Sequence, residues 1–135
     1  MSKRKDIFDK IVSIVDNNEY IKHTYKNLAP TWGNVRVFPS AAVLIDTEKV
    51  ELKEYSCSTD RELSILILIY HRHKNNDYSD ILSDLLDSIE SDLKDDVDLR
   101  DLTTISYPET ITQDGGILYP FTMAEIVYKV QYFES

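Results

Sequence analysis

Apolar residues along this chain repeat with two different periods. Across 4-RKDIFDKIVSIVD-16, Ile7, Phe8, Ile11, Ile14 and Val15 recur every three or four residues. That spacing predicts an amphipathic helix, ended by the Asn17-Asn18 pair. The stretch 19-EYIKHTYKN-27 alternates Tyr20, Lys22, Thr24 and Lys26 against Ile21, His23 and Tyr25, as an exposed strand does. Pro30, Gly33 and Pro39 then punctuate a loop. The next segment, 41-AAVLIDTEKVELKEYSCS-58, predicts a strand, a polar turn near Asp46 to Lys49, and a returning strand.

The longest predicted strand is 61-RELSILILIYHRH-73. Leu63, Ile65, Ile67 and Ile69 occupy one set of alternate positions, and Leu66, Leu68 and Tyr70 the other. Successive side chains on a strand point to opposite faces, so both faces here are apolar. After the 73-HKNND-77 break, Ile81, Leu82, Leu85, Leu86, Ile89 and Leu93 return to helical spacing between Tyr78 and Lys94. A closing hairpin follows, with arms near 103–111 and 117–133 joined through Asp114-Gly115-Gly116. In its second arm Ala124, Ile126, Tyr128, Val130 and Tyr132 face one way, and Glu125, Lys129 and Gln131 the other.

The order of elements predicts an α+β fold, a largely antiparallel sheet with two amphipathic helices packed on one face. At 135 residues, 1–135 reads as a single domain. Two helices cover one sheet face. The second face of the central strand then needs another cover, since leaving Leu66, Leu68 and Tyr70 in water forfeits several kcal/mol at about 25 cal/mol per Å². Contact with another copy or a partner is one solution, and these three residues are its candidate subunit-contact face. A sheet curled under the chain's own loops is the other.

Charge sharpens the picture. The net charge is −9. Residues 77–101 hold ten acids against Lys94 and Arg100, a net of −8, and the rest of the chain is near neutral. A general nucleic-acid binder carries a basic stripe instead. The basic start MSKRKDIFDK leads into an amphipathic pattern rather than an apolar run, so no signal peptide is expected. No run approaches the ~20 apolar residues of a membrane helix, and no membrane role is expected. A lone Cys57 precludes an internal disulfide and fits a reducing compartment.

Candidate chemistry is thin. His71 and His73 would project to one face of a strand, but His23 is distant and Arg72 and Lys74 oppose a cation, so no metal site is expected. Asp46, Glu51 and Lys53 resemble the D…E-x-K set of metal-dependent nucleases, with too short a separation. Cys57 has no base nearby for nucleophilic catalysis, and the Asp114-Gly115-Gly116 turn matches no phosphate-binding fingerprint. No catalytic residues and no cofactor are expected.

The order and spacing of several pieces carry a resemblance that covers nearly the whole chain. After the leading helix come 35-VRVFPSAAVLI-45, the apolar strand 63-LSILILIYHR-72, 81-ILSDLLDSIESDL-93 and 95-DDVDLRDL-102. A Gly-Gly turn leads to 126-IVYKVQYF-133. In this pattern the chain resembles the tail-terminator (tail-completion) proteins of tailed bacteriophages, including the lambda U type. The resemblance implies a non-enzymatic virion subunit, assembled in the host cytoplasm, that forms a homo-oligomeric ring, commonly a hexamer. Such a ring caps the tail-tube protein, ends polymerisation and offers a surface to the head–tail connector protein. Genome DNA passes through its lumen without specific binding.

Two surfaces are singled out beside the sheet face. The charged hairpin of Glu48, Lys49, Glu51, Lys53 and Glu54 is the candidate tail-tube docking site. Asp84, Asp87, Asp95 and Asp96 form an acidic surface that faces either the lumen or the outside. A head-completion or connector protein is an alternative within virion structure. A metal-dependent nuclease and a dimerising regulatory module are alternatives from other classes.

Overall fold

The computed structural model describes residues 3–52, 59–72, 80–113 and 121–134. The chain runs α1 (Lys3–Asp16), β1 (His23–Lys26), a short 3-10 turn (Trp32–Asn34), β2 (Ser40–Leu52) and β3 (Thr59–Arg72). It continues through α2 (Asp80–Asp95), α3 (Val97–Leu102), β4 (Ile105–Gln113) and β5 (Phe121–Glu134). The strands form one sheet in the order β1-β2-β3-β5-β4. β1 pairs with β2 in parallel, and every other pairing is antiparallel. This is the expected α+β arrangement.

β3 lies at the centre because it is apolar on both faces, which no edge strand tolerates in water. Its Leu63, Ile65, Ile67 and Ile69 are wholly buried, each stabilising the fold by roughly 1.5–3 kcal/mol. They join Ala41 and Val43 of β2 and Ala124, Ile126, Tyr128, Val130 and Tyr132 of β5 in one cluster. The predicted helix faces supply the rest: Ile7, Phe8, Ile11, Ile14 and Val15 from α1, and Leu82, Leu85, Leu86, Ile89 and Leu93 from α2. α1 packs against β1 and β2, and α2 against α1 and β4.

α3 is a short third helix that the periodicity does not single out. Asp96 caps it, its side chain accepting from the Leu99 N–H at 2.8 Å, and Leu99 is its one buried residue.

The polar turn expected at Asp46 to Lys49 does not exist. β2 runs straight through to Leu52, with a bulge between Ile45 and Thr47 that absorbs Asp46. The segment has no glycine or asparagine to adopt the positive φ of a tight hairpin, so extended pairing with β3 prevails. Residues 53–58, which join the two strands, lie outside the described residues. The exposed strand expected over 19–27 shrinks to His23–Lys26, ended by Asn27 in the left-handed region at φ 57°.

The second sheet face is the larger correction. Leu68 and Tyr70 need no second chain, because Val35 and Phe38 of the loop between β1 and β2 pack over them beside Ala42. The Tyr70 hydroxyl donates to the Pro30 carbonyl at 3.0 Å and ties that loop down. Only Leu66, half-buried, keeps part of the exposure expected of all three. Farther along the same face the sheet turns polar. Lys129 donates to Ser64 at 2.6 Å and lies 3.5 Å from both Glu62 and Glu109, and Gln131 donates to Glu62. One half of the face is thus covered by the chain's own loop, and the other carries charge.

Candidate functional site

At the end of the sheet remote from that loop, the β2–β3 ladder continues through Lys49–Glu62, Val50–Arg61 and Glu51–Asp60, and β5 adds Phe133 opposite Asp60. Lys49, Glu51, Val50 and Phe133 are all exposed, the last two by 53% and 45%. A shallow pocket of about 280 Å³ opens among Lys49, Glu51, Asp60, Glu62, Gln131 and Phe133. Charges of both signs surround the exposed Phe133 there, whereas Val50, one residue out of step with Lys49 and Glu51, belongs to the opposite, helix-bearing face.

Glu48 does not belong to that exposed set. It points to the helix-bearing face, where Arg4 lies 3.0 Å and Arg61 3.4 Å from the same carboxylate oxygen. The Tyr132 hydroxyl donates to its other oxygen. Glu48 accordingly raises the Arg4 pKa above its ordinary value, first through its charge and then through hydrogen bonding. The role of this cluster is to anchor the start of α1 to the sheet. Lys53 and Glu54 lie outside the described residues.

The acidic candidates divide similarly. Asp84, Asp87 and Asp95 are exposed on or at the end of α2. Asp96 is the cap of α3 and sits 3.6 Å from Lys10, which also pairs with Asp98 at 3.2 Å. Between α2 and β4 runs a groove of about 620 Å³, whose lining includes Asp87, Glu90, Asp95, Tyr107, Pro108 and Tyr128. The Tyr128 hydroxyl donates to Ser106 at 3.0 Å at the groove wall, and burial pushes its pKa above the usual tyrosine value. This groove escapes sequence reading because periodicity does not show how α2 packs against β4. Its only linear trace is the exposed acids of the helix.

The nuclease candidates do not converge. Asp46 occupies the bulge and Glu51 stands five residues on along the same strand, where that chemistry needs adjacent strands. Among the described residues no group of three or more His, Cys, Asp and Glu is placed to hold a metal ion. His71 is buried on β3, His23 stacks edge-on against Tyr25 at 4.6 Å on β1, and His73 and Cys57 lie outside the described residues. Among the described residues no helix is long and apolar enough to cross a membrane.

No protein-family model matches the chain, and no curated protein matches it. Solved structures do match, 27 chains in all. One is a chain described as "Virion of native gene transfer agent (GTA) particle", similar at a TM-score of 0.45 with 6% sequence identity. The match covers 92% of this chain and 84% of that one.

Proposed function

We propose that this protein is a non-enzymatic structural subunit of a tailed, phage-type particle. Copies form a ring that caps the tail tube, ends its polymerisation and presents a surface to the head–tail connector. The order of helices and strands, which resembles the tail-terminator family, supports the reading. The observation that carries it is the open sheet end, where Lys49, Glu51 and Phe133 stand exposed on one face in a mixed charged and apolar patch. Such a patch suits docking on another protein better than turnover of a small molecule. Lys49, Glu51, Lys53 and Glu54 form the tube-facing set in this reading, and Glu48 supports them from behind.

The strong negative balance fits the same role. A ring through which genome DNA slides must not trap phosphates, and a chain of net charge −9 offers them little attraction.

Tube length is the test. Polymerising tail-tube protein should give tubes of unlimited length alone and capped, shorter tubes with this protein, measured by negative-stain electron microscopy. Charge reversal by Lys49→Glu with Lys53→Glu should weaken capping. Unchanged tube lengths with the wild-type protein would refute the terminator role.

A further inference from the structure

The docking end of the sheet extends beyond the apolar core. On the helix-bearing face, buried packing stops at Leu63, Val130 and Tyr132. Glu48 and Val50 of β2 and Arg61 of β3 continue that face outward. Helix α1 ends its apolar stripe at the same level. Its first buried residue is Ile7, so no apolar side chain of its first turn, residues 3–6, ties that turn to the sheet.

Charged side chains make the tie instead. Arg4 Nε lies 3.0 Å from a Glu48 carboxylate oxygen on β2, and Arg61 of β3 lies 3.4 Å from the same oxygen. The Tyr132 hydroxyl donates to the other oxygen, and Arg61 Nε donates to Thr59 at 3.1 Å. Lys3 Nζ donates to the Phe133 carbonyl of β5 at 3.0 Å. The first turn thus reaches β2 and β5 directly, and β3 through Glu48. Helix chemistry does not account for this placement. The positive end of the helix dipole disfavours cations, yet the first turn carries Lys3, Arg4 and Lys5 against Asp6 alone. A local rule broken in this way points to a task elsewhere, and Lys3 and Arg4 both find acceptors on the sheet.

Each of these contacts acts beside a docking residue. Glu48 and Lys49 are neighbours on β2 and point to opposite faces, so holding Glu48 fixes the direction in which Lys49 and then Glu51 project. Lys3 holds the backbone of Phe133 itself. Phe133 lies opposite Asp60 and Asp60 opposite Glu51, so one displaced strand end would break up the patch.

We propose that the first turn of α1 is a charged clasp that aligns the three strand ends, with Lys3, Arg4 and Arg61 as positioning residues for Lys49, Glu51 and Phe133. The proposal rests on the docking reading above and adds the device that keeps that face in shape. The Glu48 side chain is only 14% exposed, so a lost cation leaves its carboxylate poorly matched and loosens the strand ends around it.

Three variants test it: Lys3→Ala with Arg4→Ala, Arg4→Ala alone, and Arg4→Lys. None alters a docking residue, circular dichroism checks that each folds, and the single variants carry the test should the double one unfold. In the isolated protein, hydrogen exchange read by mass spectrometry should be about tenfold faster at 48–52, 59–62 and 131–134 in the double variant. Residues 65–69 of β3, inside the core, should keep wild-type protection, which separates a loosened end from a general loss of stability. Arg4→Ala should give a smaller effect, and Arg4→Lys, which keeps the cation, should restore most of the protection. With tail-tube protein, the double variant should be needed at about tenfold higher concentration to cap tubes. Unchanged exchange at those strand ends would overturn the proposal. So would faster exchange with capping undiminished, since the contacts would then position nothing that docks. Faster exchange beside a wild-type protein that never caps tubes would refute the tube reading and leave the clasp standing.

Discussion

Asn18 shows how much one side chain can hold. It is buried where α1 ends, its amide nitrogen donates to Ser88 at 3.0 Å and Asp92 at 2.8 Å on α2, and its carbonyl accepts from the Tyr20 N–H. In the sequence Asn17-Asn18 reads only as a helix stop. Asn18→Ala should cost about 1–3 kcal/mol, because it strands polar groups at a helix junction, and urea denaturation checks the figure. Tyr70 is the counterpart on the other face. Tyr70→Phe removes the bond to the Pro30 carbonyl and should cost about 1 kcal/mol. Burial, with a smaller contribution from Tyr25, raises the Tyr70 pKa above its ordinary value. The folded state therefore holds this proton more tightly than the unfolded chain. That contribution is complete below about pH 10 and is lost as pH climbs from there through the folded pKa. The Phe variant should show a shallower alkaline loss of stability, followed by thermal melts across that range.

Among the elements, β3 was legible as a strand because a short apolar run, rich in β-branched residues and ended by polar ones, suits a strand buried on both faces. The amphipathic faces of α1 and α2 were equally plain. The β2 bulge was hidden, since Asp46 to Lys49 is polar enough for a turn and only pairing with β3 reveals an uninterrupted strand. The cover over Leu68 and Tyr70 was hidden for a different reason. A loop with Pro30 and Pro39 has no periodicity, although Val35 and Phe38 within it supply the apolar surface that does the covering. This gives a graded prediction. Leu68→Ala should cost about 2–5 kcal/mol as a core truncation, and Leu66→Ala clearly less, since Leu66 is half-buried. Denaturant midpoints measure both, and equal losses would mean that the loop does not shield Leu68 in solution. Lys49 and Glu51 of the candidate docking set read as exposed charges, but the division between Glu48, held by two arginines, and exposed Lys49 depends on which face each meets.

For the molecule as a whole, the proposed ring must leave surface free for its two ends. Two contacts of ordinary size, about 800 Å² per partner, would together take roughly a fifth of the 7979 Å² that one subunit exposes. The remainder suffices for a tube-facing end and a connector-facing end. Charge pairing at such contacts weakens as the Debye length shortens, from about 8 Å at physiological salt to about 3 Å at 1 M. Electron cryo-microscopy of tail tubes assembled with this protein tests the central claim most directly. We expect a single closed ring of copies on the tube end, with the Lys49–Glu51 end of each sheet against the tube. Bare tube ends, with the protein free in solution at saturating concentration, would contradict it.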